Sequence, residues 1–180
     1  MEIIYKEIPK EFLEILPEGV KFISKSDKKF LVIEELYCPN GHDLIDNTVH
    51  IHGEPAIRLK IKVADSEGTI FIDAFWGSHV KLYSFMSERL SATEIIEAFC
   101  PTCGESLIVE RVCDQEKCNS TQAIQMILPG KNNKITACAK LGCPGHSIEI
   151  KEMREKIARR INQINYFGIG VDDDCFFKGV

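Results

Sequence analysis

The chain lacks any unbroken apolar run near the roughly 20 residues that a membrane-spanning helix requires. Its opening stretch, Met1-Glu-Ile-Ile-Tyr-Lys-Glu7, has neither the basic start nor the apolar core of a secretory leader. These absences predict a cytoplasmic protein with no membrane partner. A surplus of positive charge is also missing: 22 Lys and Arg face 27 Asp and Glu, a net charge of −5 that disfavours broad attraction to nucleic acid. There is no Gly-rich phosphate loop, no Gly-x-Ser-x-Gly elbow and no His-Glu-x-x-His pair, which counts against the commoner enzyme classes. The 180 residues, 44% of them apolar, are enough for one buried core, and two full-sized domains would be cramped. A single domain over 1–180 is the expectation.

What the chain does have is cysteine. Eight occur, and seven fall into four short clusters: Cys38-Pro-Asn-Gly-His42, Cys100-Pro-Thr-Cys103, Cys113-Asp-Gln-Glu-Lys-Cys118 and Cys138-Ala-Lys-Leu-Gly-Cys143-Pro-Gly-His146. Disulfides are uncommon in a reducing compartment, so metal ligation is the usual reason for such spacing. Two ligands a few residues apart can turn toward one ion from a tight loop whose amides offset thiolate charge, and two such loops complete a tetrahedron. Pro and Gly within the clusters supply the turns. Two Zn2+ per chain are expected, with iron as the chemical rival, since four thiolates in a tetrahedron suit both.

The chain repeats itself. Ile33-Glu34-Glu35-Leu36-Tyr37-Cys38-Pro39, followed by Asp43-Leu44-Ile45, echoes Ile96-Glu97-Ala98-Phe99-Cys100-Pro101, followed by Glu105-Ser106-Leu107-Ile108. The other two clusters share a Cys-x4-Cys form. The simplest matching by proximity is nested: Cys100, Cys103, Cys113 and Cys118 around one ion, and Cys38, Cys138 and Cys143 around the other, with His42 or His146 as fourth ligand. The outer site would close a long loop and restrict the unfolded chain, so chelation is expected to loosen the whole fold.

Cys100-Pro-Thr-Cys103-Gly104-Glu105-Ser106-Leu107, with Cys113 and Cys118 beyond, resembles the zinc ribbon over residues 98–120, in the style of the fingers attached to bacterial type I topoisomerases and NAD-dependent DNA ligases. The resemblance implies a metal-bearing hairpin and no particular catalysis. The Lys-x-Asp-Gly motif of a ligase is absent. A ribbon-like segment over 94–146 would be interleaved with an N-terminal knuckle at 36–45.

Around these clusters the pattern is α+β and rich in antiparallel strand. A short helix is expected at 9–16, strands at 20–24 and 30–36, and a hairpin of 57–63 and 69–75 turning at 65–68. Ile57, Leu59, Ile61 and Val63 alternate there with Arg58, Lys60 and Lys62. Further strands are expected at 107–112, 122–128 and 134–137, with a turn at 129–133. Ser91-Ala-Thr-Glu94 has capping-box form, but the internal repeat favours a strand at 94–99. After His146, the spacing of Ile150, Met153, Ile157, Ile161 and Ile164 predicts a C-terminal amphipathic helix, supported by Glu152 with Lys156 and Glu155 with Arg159. The tail from 166 to 180 keeps Phe167, Phe176 and Phe177, which suits docking on its own domain or on a twin subunit.

Two other constellations offer themselves. His50 and His52, with Asp73 or His79, could build an open metal site for a hydrolase, although histidines on half-exposed strands are more often solvated. Arg58, Lys60 and Lys62, with His52 and Trp76, could form a basic, aromatic face for nucleic acid, as could Lys151, Arg154, Lys156, Arg159 and Arg160, although charges on a wet face need no such reason. Cys175 follows Asp172-Asp-Asp174, whose charge disfavours a thiolate. The composite expectation is a zinc-stabilised binding or adaptor protein, more fitted to a protein partner than to catalysis.

Overall fold

The computed structural model describes residues 7–25, 27–78, 80–84, 90–130, 132–164 and 177–179. Strand alternation sets its centre. In β4 (Glu54–Val63) Ile57, Leu59 and Ile61 are buried while Arg58 and Lys60 are exposed, as a period of two dictates for a half-covered strand. Its antiparallel neighbour β3 (Ile45–Ile51) arrives through a two-residue turn, His52–Gly53, with φ of 53° and 88°. Positive φ at both central positions matches the right-handed twist of the flanking strands. On its other edge β4 pairs with β5 (Ser66–Ile72), and β5 with β6 (Lys81–Ser84). The β4–β5 turn is Ala64 and Asp65, tighter than the expected 65–68, because Ser66, Glu67 and Gly68 already pair with Val63, Lys62 and Ile61. β7 (Glu97–Phe99) shares the β3 edge of β4, and β12 (Phe177–Gly179) adds in parallel to β6.

A second sheet has the order β11 (His146–Glu149), β10 (Lys134–Cys138), β9 (Gln122–Ile127), β8 (Ile108–Glu110), all antiparallel. A hairpin of β1 (Val20–Lys25) and β2 (Lys28–Ile33) leans on the residues after β5 through Ile33 N–H to Ala74 O and Trp76 N–H to Leu31 O. Among the described residues helices are few: α1 (Lys10–Glu14), which buries Phe12, and α2 (Glu155–Asn162). One apolar cluster draws on all of these parts. Leu36, Leu44, Leu59, Ile61, Ile70, Ile96, Leu107, Met126 and Leu128 are each almost fully buried, and each such side chain contributes about 1.5–3 kcal/mol relative to exposure.

The C-terminal helix is shorter than its periodicity predicts. Residues 146–149 join the sheet instead, where Ile148 is buried opposite Ile135. Ile150 and Met153 belong to a turn closed by Met153 N–H to Ile150 O, and still pack on the core. Three-residue spacing serves a turn as well as a helix, which is why the stripe over-reads. Glu155 and Arg159 do form an ion pair. The end of α2 is pinned by Trp76 Nε1 donating to Ile161 O at 2.9 Å and by Asn162 Oδ1 accepting from Ile148 N–H at 2.8 Å. Residues 91–94 form a turn rather than a helix, and the strand of the internal repeat is realised as β7 with Ile96 N–H bonded to Ala139 O. His79, Cys175, Phe167 and Phe176 lie outside the described residues.

Candidate metal centres

The backbone delivers four cysteine loops to two points. Tyr37 exchanges both backbone hydrogen bonds with Ile127 at the end of β9, while Leu44 O accepts from Arg58 N–H on β4. The second loop does the reverse: Phe99 pairs with Lys60 on β4, and Leu107 O accepts from Gln125 N–H on β9. Two loops of similar sequence are thus hung between the same two strands in opposite senses, with their tips facing. Each tip is a tight turn, closed by Cys38 N–H to His42 O in one and by Cys100 N–H to Glu105 O in the other. Cys38, His42, Cys100 and Cys103 meet there, their ligand atoms all within 4.8 Å of one another.

The second meeting point is the shared end of β9 and β10. The β8–β9 connection carries Cys113 and Cys118, and the last residue of β10 and the connection after it supply Cys138 and Cys143. Because β9 and β10 are antiparallel neighbours, with Cys138 opposite Ala123, both connections emerge at one end. The four sulfurs again lie within 4.8 Å of one another.

The nested pairing is therefore not what the structure shows. Like joins like: the two repeat-related loops form the first centre and the two Cys-x4-Cys loops the second. Strand register decides it, since Arg58 and Lys60 stand two apart on one strand edge and hold Leu44 and Phe99 side by side. The proximity of Cys103 to Cys113 in sequence counts for nothing, because β8 runs between them and carries them to different centres. His146 is in neither group; its Nδ1 lies 2.8 Å from Pro144 O, and its ring meets Trp76 edge-on at 4.5 Å between centroids.

The spacing within each group fits a bound ion. A tetrahedral site with metal–sulfur bonds of about 2.3 Å has sulfur–sulfur edges of about 3.8 Å, and about 3.5 Å from sulfur to an imidazole nitrogen. In the first centre Cys38 Sγ is 3.9 Å from Cys103 Sγ and 3.5 Å from His42 Nδ1. In the second, Cys113–Cys143 and Cys118–Cys138 are 3.6 and 3.7 Å apart. These lengths are far beyond a disulfide bond of about 2.05 Å. Backbone amides back the sulfurs as well: His42 N–H points at Cys38, Thr102 N–H at Cys100, Lys140 N–H at Cys138 and Gly145 N–H at Cys143, at 3.4–3.5 Å.

The centres differ in their surroundings. Cys38 and Cys100 are buried but Cys103 is exposed, and the Asn40 side-chain amide, 3.5 Å away, with the Glu105 backbone N–H draws its thiol down to about 6. Burial raises the Cys100 thiol. In the second centre burial pushes Cys113 up to about 11 and raises Cys143 further. Burial also opposes the Cys118 thiolate, yet the Ser120 backbone amide and neighbouring sulfurs outweigh it and leave that thiol lowered. A cation would replace these protons. Packing there is tight: a Cβ added at Gly145 would stand 2.9 Å from Cys113 Sγ.

One residue beside the second centre gave no sequence signal. Lys81, in β6 between Val80 and Leu82, is only 8% exposed, and its Nζ donates to Leu141 O at 2.8 Å, inside the loop joining Cys138 to Cys143. Burial lowers its pKa to about 8, while Cys138 and Cys143 favour its charge.

The remaining candidates fall elsewhere. His52 occupies the β3–β4 turn rather than a strand face, with Nδ1 2.7 Å from Asp73 Oδ2. Buried Asp73 also accepts from Ser78 Oγ and Phe75 N–H, so it fastens that turn to the end of β5. His50 is exposed, and among the described residues no group of three or more potential ligands includes His50 or His52. Trp76 is buried and hydrogen-bonded, so it shares no open face with Arg58, Lys60 and Lys62. Arg58 lies 3.8 Å from Asp46 and Lys60 3.3 Å from Glu67. Among the described residues no helix is long and apolar enough to cross a membrane. No protein-family model matches the sequence, and neither a curated protein nor a solved structure matches the chain.

Proposed function

We propose that the chain is a zinc protein carrying two structural ions, one held by Cys38, His42, Cys100 and Cys103 and the other by Cys113, Cys118, Cys138 and Cys143, and that it serves as a binding or adaptor protein. The observation that carries this reading is that each ligand set gathers within 4.8 Å, with two edges in each of 3.5–3.9 Å. Four protein ligands per ion leave no open position for substrate, the arrangement of structural rather than catalytic zinc. Zinc at the first centre would tie the two sheets together, zinc at the second would clamp the hairpin connections of one sheet, and neither would supply chemistry beyond cross-linking. The acidic balance of the chain and the pairing of Arg58 and Lys60 with acidic neighbours favour a protein partner over nucleic acid. Reduced thiolates suit a cytoplasmic setting.

Elemental analysis of protein purified without added metal is expected to give two zinc ions per chain, and a colourless solution separates zinc from iron. Cys113→Ser and Cys138→Ser should cost the same ion, leaving the other centre loaded, whereas Cys38→Ser should cost the other one. Folded, reduced protein that holds neither zinc nor iron would end the proposal.

A further inference from the structure

The two centres would carry different charge. Three thiolates and a neutral imidazole around a divalent cation sum to −1, and four thiolates sum to −2. The first centre has an exposed member, Cys103, through which water can screen it. In the second, Cys138 and Cys143 are buried and Cys113 and Cys118 half-buried, and a net dianion removed from water needs a compensating positive charge. Backbone amides supply part of this.

Lys81 lies where the rest is needed. A lysine is almost never buried unless its charge is matched, yet Lys81 is 8% exposed, and the loop it reaches carries Cys138 and Cys143, which would both be thiolates with a cation bound. Its Nζ grips Leu141 O at 2.8 Å, midway along the loop that presents those two sulfurs. β6, which holds it, belongs to the other sheet, in register with Ile72 of β5. The side chain therefore crosses from one sheet to the metal loop of the other and ends there.

We propose that Lys81 is a positioning and charge-compensating residue for the four-thiolate centre: its ammonium offsets the excess negative charge of the loaded site, and its hydrogen bond to Leu141 O fixes the loop that aims Cys138 and Cys143. This rests on the reading of that centre as a divalent-metal site. The fourth thiolate and the buried lysine form a set, and the mixed centre, one charge poorer, needs no such partner. Groups that support first ligands from outside commonly change metal affinity by about 10–100-fold when removed.

The test uses the full chain loaded with zinc, and follows release to a chromophoric chelator. The kinetic phase of the second centre is assigned by its loss in Cys118→Ser. Lys81→Met keeps length and apolar stem while deleting charge and donor, and Lys81→Arg keeps the charge. The expected result is release from the second centre about 10–100-fold faster in Lys81→Met, with the first-centre phase unchanged and Lys81→Arg nearer the wild type. Release at the wild-type rate from folded Lys81→Met, equal acceleration of both phases, or identical behaviour of the two variants would overturn the proposal. Should Lys81→Met not fold, amine acylation of the wild type decides. Lys81 is expected to resist labelling while zinc is bound and to be modified once the second centre is stripped; labelling indifferent to that metal overturns the role. Wild-type protein with no metal at the second centre would instead refute the metal-site reading itself.

Discussion

Each centre pairs two loops of one kind, and the two pairs differ in what they join. The first gathers chain from far apart, Cys38 and Cys103 being 65 residues distant, and ties the strand edge of β4 to the end of β9. The second joins hairpin connections of one sheet, with Cys118 and Cys138 only 20 residues distant. Distance along the chain sets how much each cross-link restricts the unfolded state, and burial sets how far each depends on a cation to discharge its thiolates. The comparison teaches that ligand type alone does not rank two candidate metal sites; with ions bound, the first would be the stronger topological clip and the second the more demanding electrostatic one.

The largest effect should come from breaking the clips. Loop-closure entropy grows as the logarithm of loop length, so losing the first centre should cost about 1 kcal/mol more than losing the second from this cause. For a chain of this size that difference is about 2–4 °C in melting temperature. Cys103→Ser, at the exposed ligand, and Cys118→Ser, at a half-buried one, avoid leaving a fully buried polar atom. Each should lose one ion, and Cys103→Ser should melt lower by that margin in calorimetry. The opposite order would show that local packing around the second centre, rather than loop length, governs stability.

A sharper contrast comes from glycines in the loops. Gly145 does not need positive φ, but a methyl there would press on Cys113 Sγ at 2.9 Å; Gly41 has φ of 84° with open space around its Cβ direction. Gly145→Ala should therefore loosen the second centre without touching the first. Gly41→Ala pays only the backbone cost of about 1 kcal/mol of a side chain in the left-handed region while the first centre keeps its ion. Zinc counts by mass spectrometry and melting curves separate the two outcomes: metal lost with stability in one, stability lost with metal retained in the other. Equal zinc retention in both variants would mean that the Gly145 loop can shift its sulfur aside at little cost.

How much of this was legible beforehand depends on the range of the interaction. The ligand residues announce themselves through short spacing and turn formers, and the alternation of Ile57, Leu59 and Ile61 is realised as a half-buried strand. The pairing of loops was hidden, because it follows from where Leu44 and Phe99 dock on β4, and register is a tertiary property. A signal was present all the same: the repeat relating 33–45 to 96–108 is what a local twofold leaves in sequence, and a twofold pairs like with like. The over-long helix has a different cause, since Ile150 and Met153 serve a turn with the spacing of a helix. Lys81 was illegible in principle, being one lysine in a short strand whose meaning lies in a carbonyl 60 residues away.

The smallest expected effect tests the electrostatic side of the comparison at its exposed end. The Asn40 amide is the chief cause holding the Cys103 thiol near 6, so above that pH the sulfur is already a thiolate and needs no cation to become one. Asn40→Ala removes the donor, and the titration midpoint moves up toward the ordinary thiol range, so that a proton competes with zinc more strongly between the old midpoint and the new. Water can replace the lost donor at this open position, so the cost is small and release of the first ion quickens only slightly. The difference should shrink as pH rises past the new midpoint and grow as it falls toward 6. Alkylation of Cys103 in metal-free protein, followed across pH, reports the midpoint directly. A profile that does not move in Asn40→Ala would assign the low value to the Glu105 backbone amide, a donor that no side-chain substitution removes.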